Sequence, residues 1–388
     1  MRQRLFRPMT NFLCLDDYEA AARSRLPHPL YTYISSAAET SASLHDNRAA
    51  FHKWGFVPRV LRGVSERHIS ASLFSKTYAA PFGIAPMGIA ALMAYDGDNA
   101  LAQAAGEQNI PMILSGSSLT RMEEVYQTNP DCWFQAYLPG EEDKIRDLVA
   151  RVARTGFHTL VITVDTAVLA NRENNIRAGF STPLRFTPKV LWQFGTHPGW
   201  VFGTFARTLL GKGMPHFENS YATRSAPIMS RNVARDFGRK DHLNLDHLKL
   251  IRDQWQGKLV VKGVLAGPDI QEIAALGCDG IILSNHGGRQ LDGTVSPLRV
   301  LSGAVTAAGN IPVMIDGGFR RGTDVIKAIA LGASFVFIGR PFLYAAVADG
   351  LNGVGNAIEI MKSELHRDMG LLGKRTIDEL TPDILMQL

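Results

Sequence analysis

The chain has 388 residues, 46% apolar and 20% charged, a soluble globular composition long enough for one large domain or two ordinary ones. Lys and Arg total 41 against 36 Asp and Glu, and so small an excess (+5) gives no reason to expect nucleic acid as a partner. Cys14, Cys132 and Cys278 lie far apart with no Cys-x-x-Cys pair, so no metal site is expected, and the cysteines read as buried thiols in a reducing compartment.

Met1–Pro8 is basic, but no sustained apolar run follows it before Asp16-Asp17, so no signal peptide is expected. No stretch reaches the roughly 18 apolar residues of a membrane-spanning helix. There is no Walker A run, and the glycines of 350–355 have neither the spacing nor the preceding strand of a dinucleotide site. Leu15–Arg25 and Pro29–Ala38 read as helices of an N-terminal cap over residues 1–65, with Asp16 as N-cap of the first. From Pro81 onward one unit recurs: a short apolar strand, a polar loop and an amphipathic helix. Strands are predicted at Phe82–Ala85, Met112–Leu114, Trp133–Tyr137, Thr159–Val164, Leu259–Lys262, Gly280–Leu283, Val313–Ile315 and Phe335–Ile338. Helices follow at Asp98–Asn109, Arg121–Gln127, Glu141–Arg154, Asp246–Trp255, Pro268–Leu276, Pro297–Ala308, Thr323–Leu331 and Pro341–Ala348. Alternation of this kind implies a parallel sheet with right-handed crossovers, and eight units match an α/β fold, a closed (β/α)8 TIM barrel over 81–350, with further helices over 351–388. The whole chain is one domain on this reading.

One unit is interrupted. Roughly eighty residues separate the fourth strand from the helix at Asp246, far more than an ordinary βα loop. Within this insertion (174–240), Asn174–Phe217 carries no Asp or Glu but holds Arg177, Arg185, Lys189, Arg207 and Lys212 among Phe180, Phe186, Trp192, Phe194, Trp200, Phe202, Phe205 and Phe217. Cations interleaved with Trp and Phe suit a peripheral membrane contact over 174–217, and equally a lid that packs its aromatics over the active site or a subunit interface.

Functional groups of a barrel collect at the C-terminal ends of its strands. The sixth strand runs directly into Ser284-Asn285-His286-Gly287-Gly288-Arg289-Gln290-Leu291-Asp292. Imidazole titrates near neutrality and guanidinium grips a carboxylate, so His286 and Arg289 read as a base beside an anion clamp. The plainer reading leaves His286 as a hydrogen-bonding loop residue. Asp165 ends the fourth strand, where a buried carboxylate needs a partner. The imidazole of His286 is the useful one, since a carboxylate fixes its tautomer; otherwise Asp165 is an N-cap. Met314-Ile315-Asp316-Gly317-Gly318-Phe319-Arg320 and Ile338-Gly339-Arg340 follow strands seven and eight, the usual phosphate site of this fold, and each carries glycines and an Arg.

From about Leu15 to the C-terminus, these motifs resemble the FMN-dependent 2-hydroxy acid oxidase and dehydrogenase family, which includes glycolate oxidase, flavin-linked L-lactate dehydrogenase and (S)-mandelate dehydrogenase. The resemblance implies bound FMN and oxidation of an (S)-2-hydroxy acid to the 2-oxo acid. It gives the substrate carboxylate to Arg289 and Tyr33 with Arg172 beside them, the substrate hydroxyl to Tyr137, and the role of base to His286 with Asp165. It puts Pro86, Met87 and Gly88 against the flavin, with Ser115, Gln135, Thr163 and Ser284 as further contacts. Asp316, Gly317, Gly318, Arg320, Gly339 and Arg340 would hold the ribityl phosphate end. Lys262, ending the fifth strand, would meet the charge that a reduced flavin develops at its N1–O2 edge.

Many oxidases of the family have Ala where this chain has Gly88, which leans the reading towards a dehydrogenase that passes electrons to a quinone or another acceptor. Ser117 replaces a Trp of glycolate oxidase and leaves room for more than glycolate. The Thr196-His197-Pro198-x-Trp200 pattern resembles the membrane-bound lactate and mandelate dehydrogenases, which implies a peripheral place on the cytoplasmic face of the inner membrane. A homotetramer is also implied. Other readings are a soluble, cytoplasmic 2-hydroxy acid oxidase producing hydrogen peroxide, another phosphate-binding barrel such as an isomerase, an aldolase using Lys262, and a non-catalytic scaffold.

Overall fold

The computed structural model describes residues 12–180, 187–230 and 240–388. Arg185 and Phe186 of the insertion, and the basic start of the chain, lie outside the described residues.

Eight short strands form one parallel sheet: β1 (Phe82–Ile84), β2 (Ile113–Ser115), β3 (Trp133–Tyr137), β4 (Thr159–Thr163), β5 (Lys258–Val264), β6 (Gly280–Leu283), β7 (Val313–Asp316) and β8 (Phe335–Ile338). Each pairs with its sequence neighbour, β8 pairs with β1, and a parallel bridge between Ile84 and Met112 closes the ring. The result is a (β/α)8 barrel with an N-terminal helical cap and a long insertion after β4. The strands are largely apolar, with many Val and Ile, because both faces are covered, by helices outside and by the barrel interior inside. The helices close that outer layer with one apolar stripe each. Glu142–Thr155, for example, buries Ile145, Leu148, Val149 and Val152 and stops at Gly156, whose φ of 106° suits a left-handed C-cap.

The bottom of the barrel is plugged by a hairpin that the sequence did not announce. Ala71–Leu73 pairs antiparallel with Lys76–Tyr78. Its Phe74 ring lies 5.5 Å from that of Trp133 and its Tyr78 ring 5.6 Å from that of Phe335. Gly280 begins β6 beneath it, and a Cβ there would come within 3.0 Å of the Phe74 ring. The polar groups therefore have only the opposite mouth of the barrel to converge on.

Several expectations need correction. The first helix, Leu15–Arg25, has the predicted bounds, but its N-cap is Cys14, not Asp16. Asp17 does the capping, since its Oδ2 accepts from the amides of Leu13 (2.7 Å) and Cys14 (3.1 Å). Asp16 is instead turned towards Arg320. The second helix ends at Ser35, and a third, Ala42–Ala49, follows it. The last barrel helix continues as Arg340–Leu372, broken at Asp349 and Gly350 where φ/ψ leave the helical region. After it the chain forms two 3-10 turns and a strand, Leu385–Gln387, paired with Trp54–Phe56. The insertion is helical as far as Lys212: Glu173–Ala178, Pro188–Gly195, Pro198–Trp200, a π-helical stretch Val201–Ala206, and Arg207–Lys212; residues 213–230 then form turns with an antiparallel bridge between His216 and Pro227. Among the described residues no helix is long and apolar enough to cross a membrane.

The aromatics of the insertion divide between two jobs. Phe194, Trp200 and Phe217 are buried against the barrel. Trp192 and Phe202 are 74% and 72% exposed, next to exposed Leu191 and Leu210. The cations are largely engaged within the protein: Arg177 pairs with Glu173, Lys212 with Asp96 and Glu124, and Arg207 lies over the Tyr95 ring.

Candidate active site

The barrel interior is built in tiers, two residues apart, because side chains of a strand alternate. The lowest tier is apolar and includes Ile113, Trp133, Val161, Val260, Ile282 and Met314. Two residues on, the same six strands carry Ser115, Gln135, Thr163, Lys262, Ser284 and Asp316, all buried. Two residues further, three of them present Tyr137, Asp165 and His286.

In the middle tier the Lys262 ammonium lies 2.8 Å from Asp316 Oδ2 and donates to Ser284 Oγ at 2.7 Å. Buried charges of opposite sign are placed there together because either alone would be costly. Gln135 Oε1 accepts from Ser115 Oγ (3.2 Å) and from the Gly116 amide (3.3 Å). Its Nε2 is buried with no hydrogen-bond partner, as is Asp316 Oδ1. Native interiors rarely leave such atoms unpaired, so both mark a place for a polar ligand.

In the upper tier His286 Nδ1 is 2.9 Å from Asp165 Oδ1, and His286 Nε2 is 3.5 Å from the Tyr137 hydroxyl. Burial alone would raise Asp165, but the facing imidazole and its hydrogen bond outweigh this and hold the carboxyl below its ordinary value. Burial, and then the charge of Asp165, push the Tyr137 phenol well above its usual range, so it stays a donor. His286 sits at φ 56°, a left-handed conformation costly for a residue with a Cβ, which turns its ring back over the barrel mouth. Gly263 makes room for the pair: its φ is 103°, and a Cβ there would lie 2.7 Å from Asp165 Cγ. The same glycine sits at an irregularity in β5, which runs past Lys262 to Val264 rather than ending at Lys262.

Arg289 is fastened to the cap. Its NH1 donates to the carbonyls of Tyr33 (2.5 Å), Ser36 (3.1 Å) and Ile34 (3.4 Å), and its guanidinium lies 4.8 Å from the centroid of the Tyr33 ring. Burial, followed by the neighbouring Arg172 charge, pulls Arg289 down to about 9, the condition of a cation short of an anion. Arg172, expected beside the substrate, spends its Nε on the Arg289 carbonyl (3.0 Å) and an NH2 on Gln290 Oε1 (2.8 Å). Gln290 in turn donates to the Asp165 carbonyl at 2.8 Å. The chain of bonds Arg172–Gln290–Asp165 braces the upper tier. Gln290 was visible in the sixth-strand run, but nothing in the sequence gave it this task. Asn47 was not singled out at all: its amide exchanges two 2.8 Å hydrogen bonds with that of Asn285, locking the cap helix onto the loop of His286.

At the far side of the mouth, Gly317 and Gly318 take φ of 105° and 85°, and a Cβ on Gly318 would strike the Asn47 carbonyl at 2.5 Å. The expected phosphate-binding arginines already have protein partners. Arg320 pairs with Asp16 and Glu19, both at 3.3 Å. Arg340 donates to the carbonyls of Ile34, Ser36 and Gly287. Burial pulls Arg340 below the usual guanidinium value, and Arg320 adds to that effect. Pro86, Met87 and Gly88 follow β1. Met87 Sδ is 3.7 Å from the place of a Cβ on Gly339, and a Cβ on Gly88 would be 3.0 Å from Ser117 Cβ.

The model of the FMN-dependent dehydrogenase family matches residues 22–387. The chain belongs to that family. This FMN-dependent dehydrogenase is 37% identical over 382 residues to (S)-mandelate dehydrogenase of Pseudomonas putida, covering 97% of this chain and 94% of that protein. It is 35% identical over 376 residues to L-lactate dehydrogenase of Pseudomonas aeruginosa, covering 96% and 97%. Among solved structures it resembles the monotopic membrane protein (S)-mandelate dehydrogenase, with a TM-score of 0.91 and 36% identity over 98% of this chain and 100% of that one.

The residues present fit the family's cofactor. A flavin offers hydrogen-bond acceptors and a donor along its pyrimidine edge, which answer to the unpaired Gln135 amide, the Lys262 ammonium and the unpaired Asp316 oxygen. A phosphate answers to two half-buried guanidiniums, Arg320 and Arg340, and glycine-rich turns.

Proposed function

We propose that this dehydrogenase oxidises an (S)-2-hydroxy acid of the lactate or mandelate class to the 2-oxo acid and hands the electrons to a quinone or another acceptor. The observation that carries the reading is the ordering of the tiers: an Asp165–His286 pair at 2.9 Å lies directly above a Lys262–Asp316 pair at 2.8 Å. Bound FMN supplies the two-electron acceptor that no side chain can provide. Gln135, Lys262, Asp316, Ser115, Thr163 and Ser284 would hold its ring, and the turns at 317–320 and 339–340 its phosphate. Arg289, already fixed to the cap, takes the substrate carboxylate, and the Tyr33 hydroxyl adds a second donor. Tyr137 orients the substrate hydroxyl. His286 Nε2 accepts the hydroxyl proton, while Asp165 keeps a proton on Nδ1 and stabilises the imidazolium. The test is an anaerobic titration of the yellow protein with L-lactate and (S)-mandelate. The flavin band should bleach with one or both and not with their (R) forms; no bleaching by either acid overturns the reading. The oxidase alternative predicts faster reoxidation by air than by a quinone.

We also infer peripheral attachment to a membrane, on the cytoplasmic face of the inner membrane, through the exposed Leu191, Trp192, Phe202 and Leu210 of the insertion. The apolar side chains carry this inference more than the charges, most of which have protein partners. Co-sedimentation with anionic vesicles should be lost in W192S/F202S/L210S, and equal binding by the variant would refute it. A homotetramer is the expected assembly. Exposed Val60 and Leu61, the latter at a left-handed φ of 59°, offer apolar surface for it. Sedimentation equilibrium in detergent checks it.

A further inference from the structure

The chain returns from the insertion to the barrel at Lys240. Its amide donates to the Ala167 carbonyl at 3.2 Å, two residues past Asp165, so the Lys240 backbone is fixed to the loop that carries Asp165. Its Nζ lies 5.7 Å from the centroid of the Tyr137 ring. That ring belongs to the upper tier, with its hydroxyl facing His286. The other cations of the mouth already have a place: Lys262 faces Asp316, Arg172 braces Gln290, and Arg289 is tied to cap carbonyls and left for the substrate carboxylate. Lys240 has none. Among the described residues no carboxylate stands within ion-pair distance of it, and burial alone brings its ammonium down to about 8. A ring face returns only part of what a desolvated ammonium loses with its water.

A cation in this condition lacks an anion, and its place in the barrel says which one. Lys240 stands over β3 and beside the loop after β4, whereas the proposed phosphate turns follow β7 and β8, across the ring of eight strands. The cofactor's phosphate is therefore not its partner. What reaches Tyr137 and the Asp165–His286 pair is the substrate, with Arg289 standing at the Tyr33 ring and Lys240 at the Tyr137 ring.

We propose that Lys240 sets substrate specificity, receiving a second carboxylate at the far end of the substrate, so that the preferred substrates are (S)-2-hydroxy dicarboxylic acids. This rests on the hydroxy-acid reading of the site and moves its preferred substrate from monocarboxylates to dicarboxylates. The alcohol carbon is oxidised as before, two electrons and two protons leave the substrate, and the distal carboxylate takes no part in the chemistry.

The experiment compares kcat/KM of the purified holoenzyme, with an artificial acceptor, for (S)-malate and (S)-2-hydroxyglutarate against (S)-2-hydroxybutyrate. Wild-type enzyme, K240M and K240R are measured alongside their FMN content. The expected result is a dicarboxylate-to-monocarboxylate ratio that falls at least tenfold in K240M and recovers most of the way in K240R. A ratio unchanged in K240M, or wild-type enzyme that ignores both dicarboxylates while oxidising the monocarboxylate, overturns the assignment and leaves the hydroxy-acid reading standing. Failure of all three acids to reduce the flavin overturns both.

Discussion

Asp165→Asn removes one charge from the upper tier and almost no volume. The carboxylate oxygen it replaces lies 2.9 Å from His286 Nδ1, and the second oxygen has no hydrogen-bond partner among the described residues, so the charge acts first on the imidazole and then on Lys262. Opposite charges centred about 4 Å apart attract by about 4 kcal/mol at an effective dielectric of about 20. If that attraction develops only as His286 takes up its proton, losing it slows the step by about 10³. A second effect adds to this. An amide nitrogen turned towards Nδ1 would donate to it, driving the imidazole proton to Nε2, where the base is needed. The expected loss in flavin reduction is therefore about 10³ to 10⁴, with FMN still bound because the Lys262 tier is untouched. Anaerobic stopped-flow with saturating (S)-2-hydroxy acid reads the rate, and the visible spectrum reads cofactor content. G263A is a companion: its methyl would displace Asp165 without removing the charge, and it should lose rate as well. A D165N rate within tenfold of wild type would refute the role given to this carboxylate.

Other expectations follow from the same packing. K262M strands Asp316 as a buried, unpaired carboxylate, so it should lower thermal stability by about 3–5 kcal/mol and lose FMN on dialysis. K262M/D316N should regain stability but not the cofactor, as calorimetry and absorbance would show. G88A brings a methyl to 3.0 Å from Ser117 Cβ, so the loop must give by a few tenths of an ångström; the reoxidation rate by air should change, and G88A/S117G should return it towards wild type. Asp98 is buried, and burial raises its carboxyl from 3.8 to about 6. A raised acid contributes stability below its unfolded value and loses it as pH rises through the folded one. The wild type should therefore fall behind D98N between pH 4 and 7, by up to about 3 kcal/mol. Parallel melting curves for the two proteins across that range would refute the burial argument.

Much of the site is readable in the chain because strand periodicity and strand ends are local properties. Ile113 then Ser115, Val260 then Lys262, and Met314 then Asp316 announce the change from apolar core to polar tier within one strand each. The Asp165–His286 pair follows from asking what a carboxylate at a strand end could face. Arg320 and Arg340 were harder, because their acidic and carbonyl partners come from the cap, whose distance from them in sequence is hundreds of residues. Asp16, in the first turn of Leu15–Arg25, looked like a helix cap for the same reason. Only contact with Arg320 distinguishes Asp16 from Asp17.

By itself the sequence determined the alternation of eight strands and helices, the polar residues at strand ends and the interruption after the fourth strand. Those depend on apolar period and turn chemistry, which act over a few residues. Tertiary structure alone decided which cation faces which anion. The hairpin plug at the bottom, the Asn47–Asn285 lock, Arg172 bracing Gln290, and Lys240 without a counter-charge among the described residues all depend on segments far apart in the chain. Closing the ring brings such segments to one mouth, and the cost of burying an unpaired polar group then selects their partners.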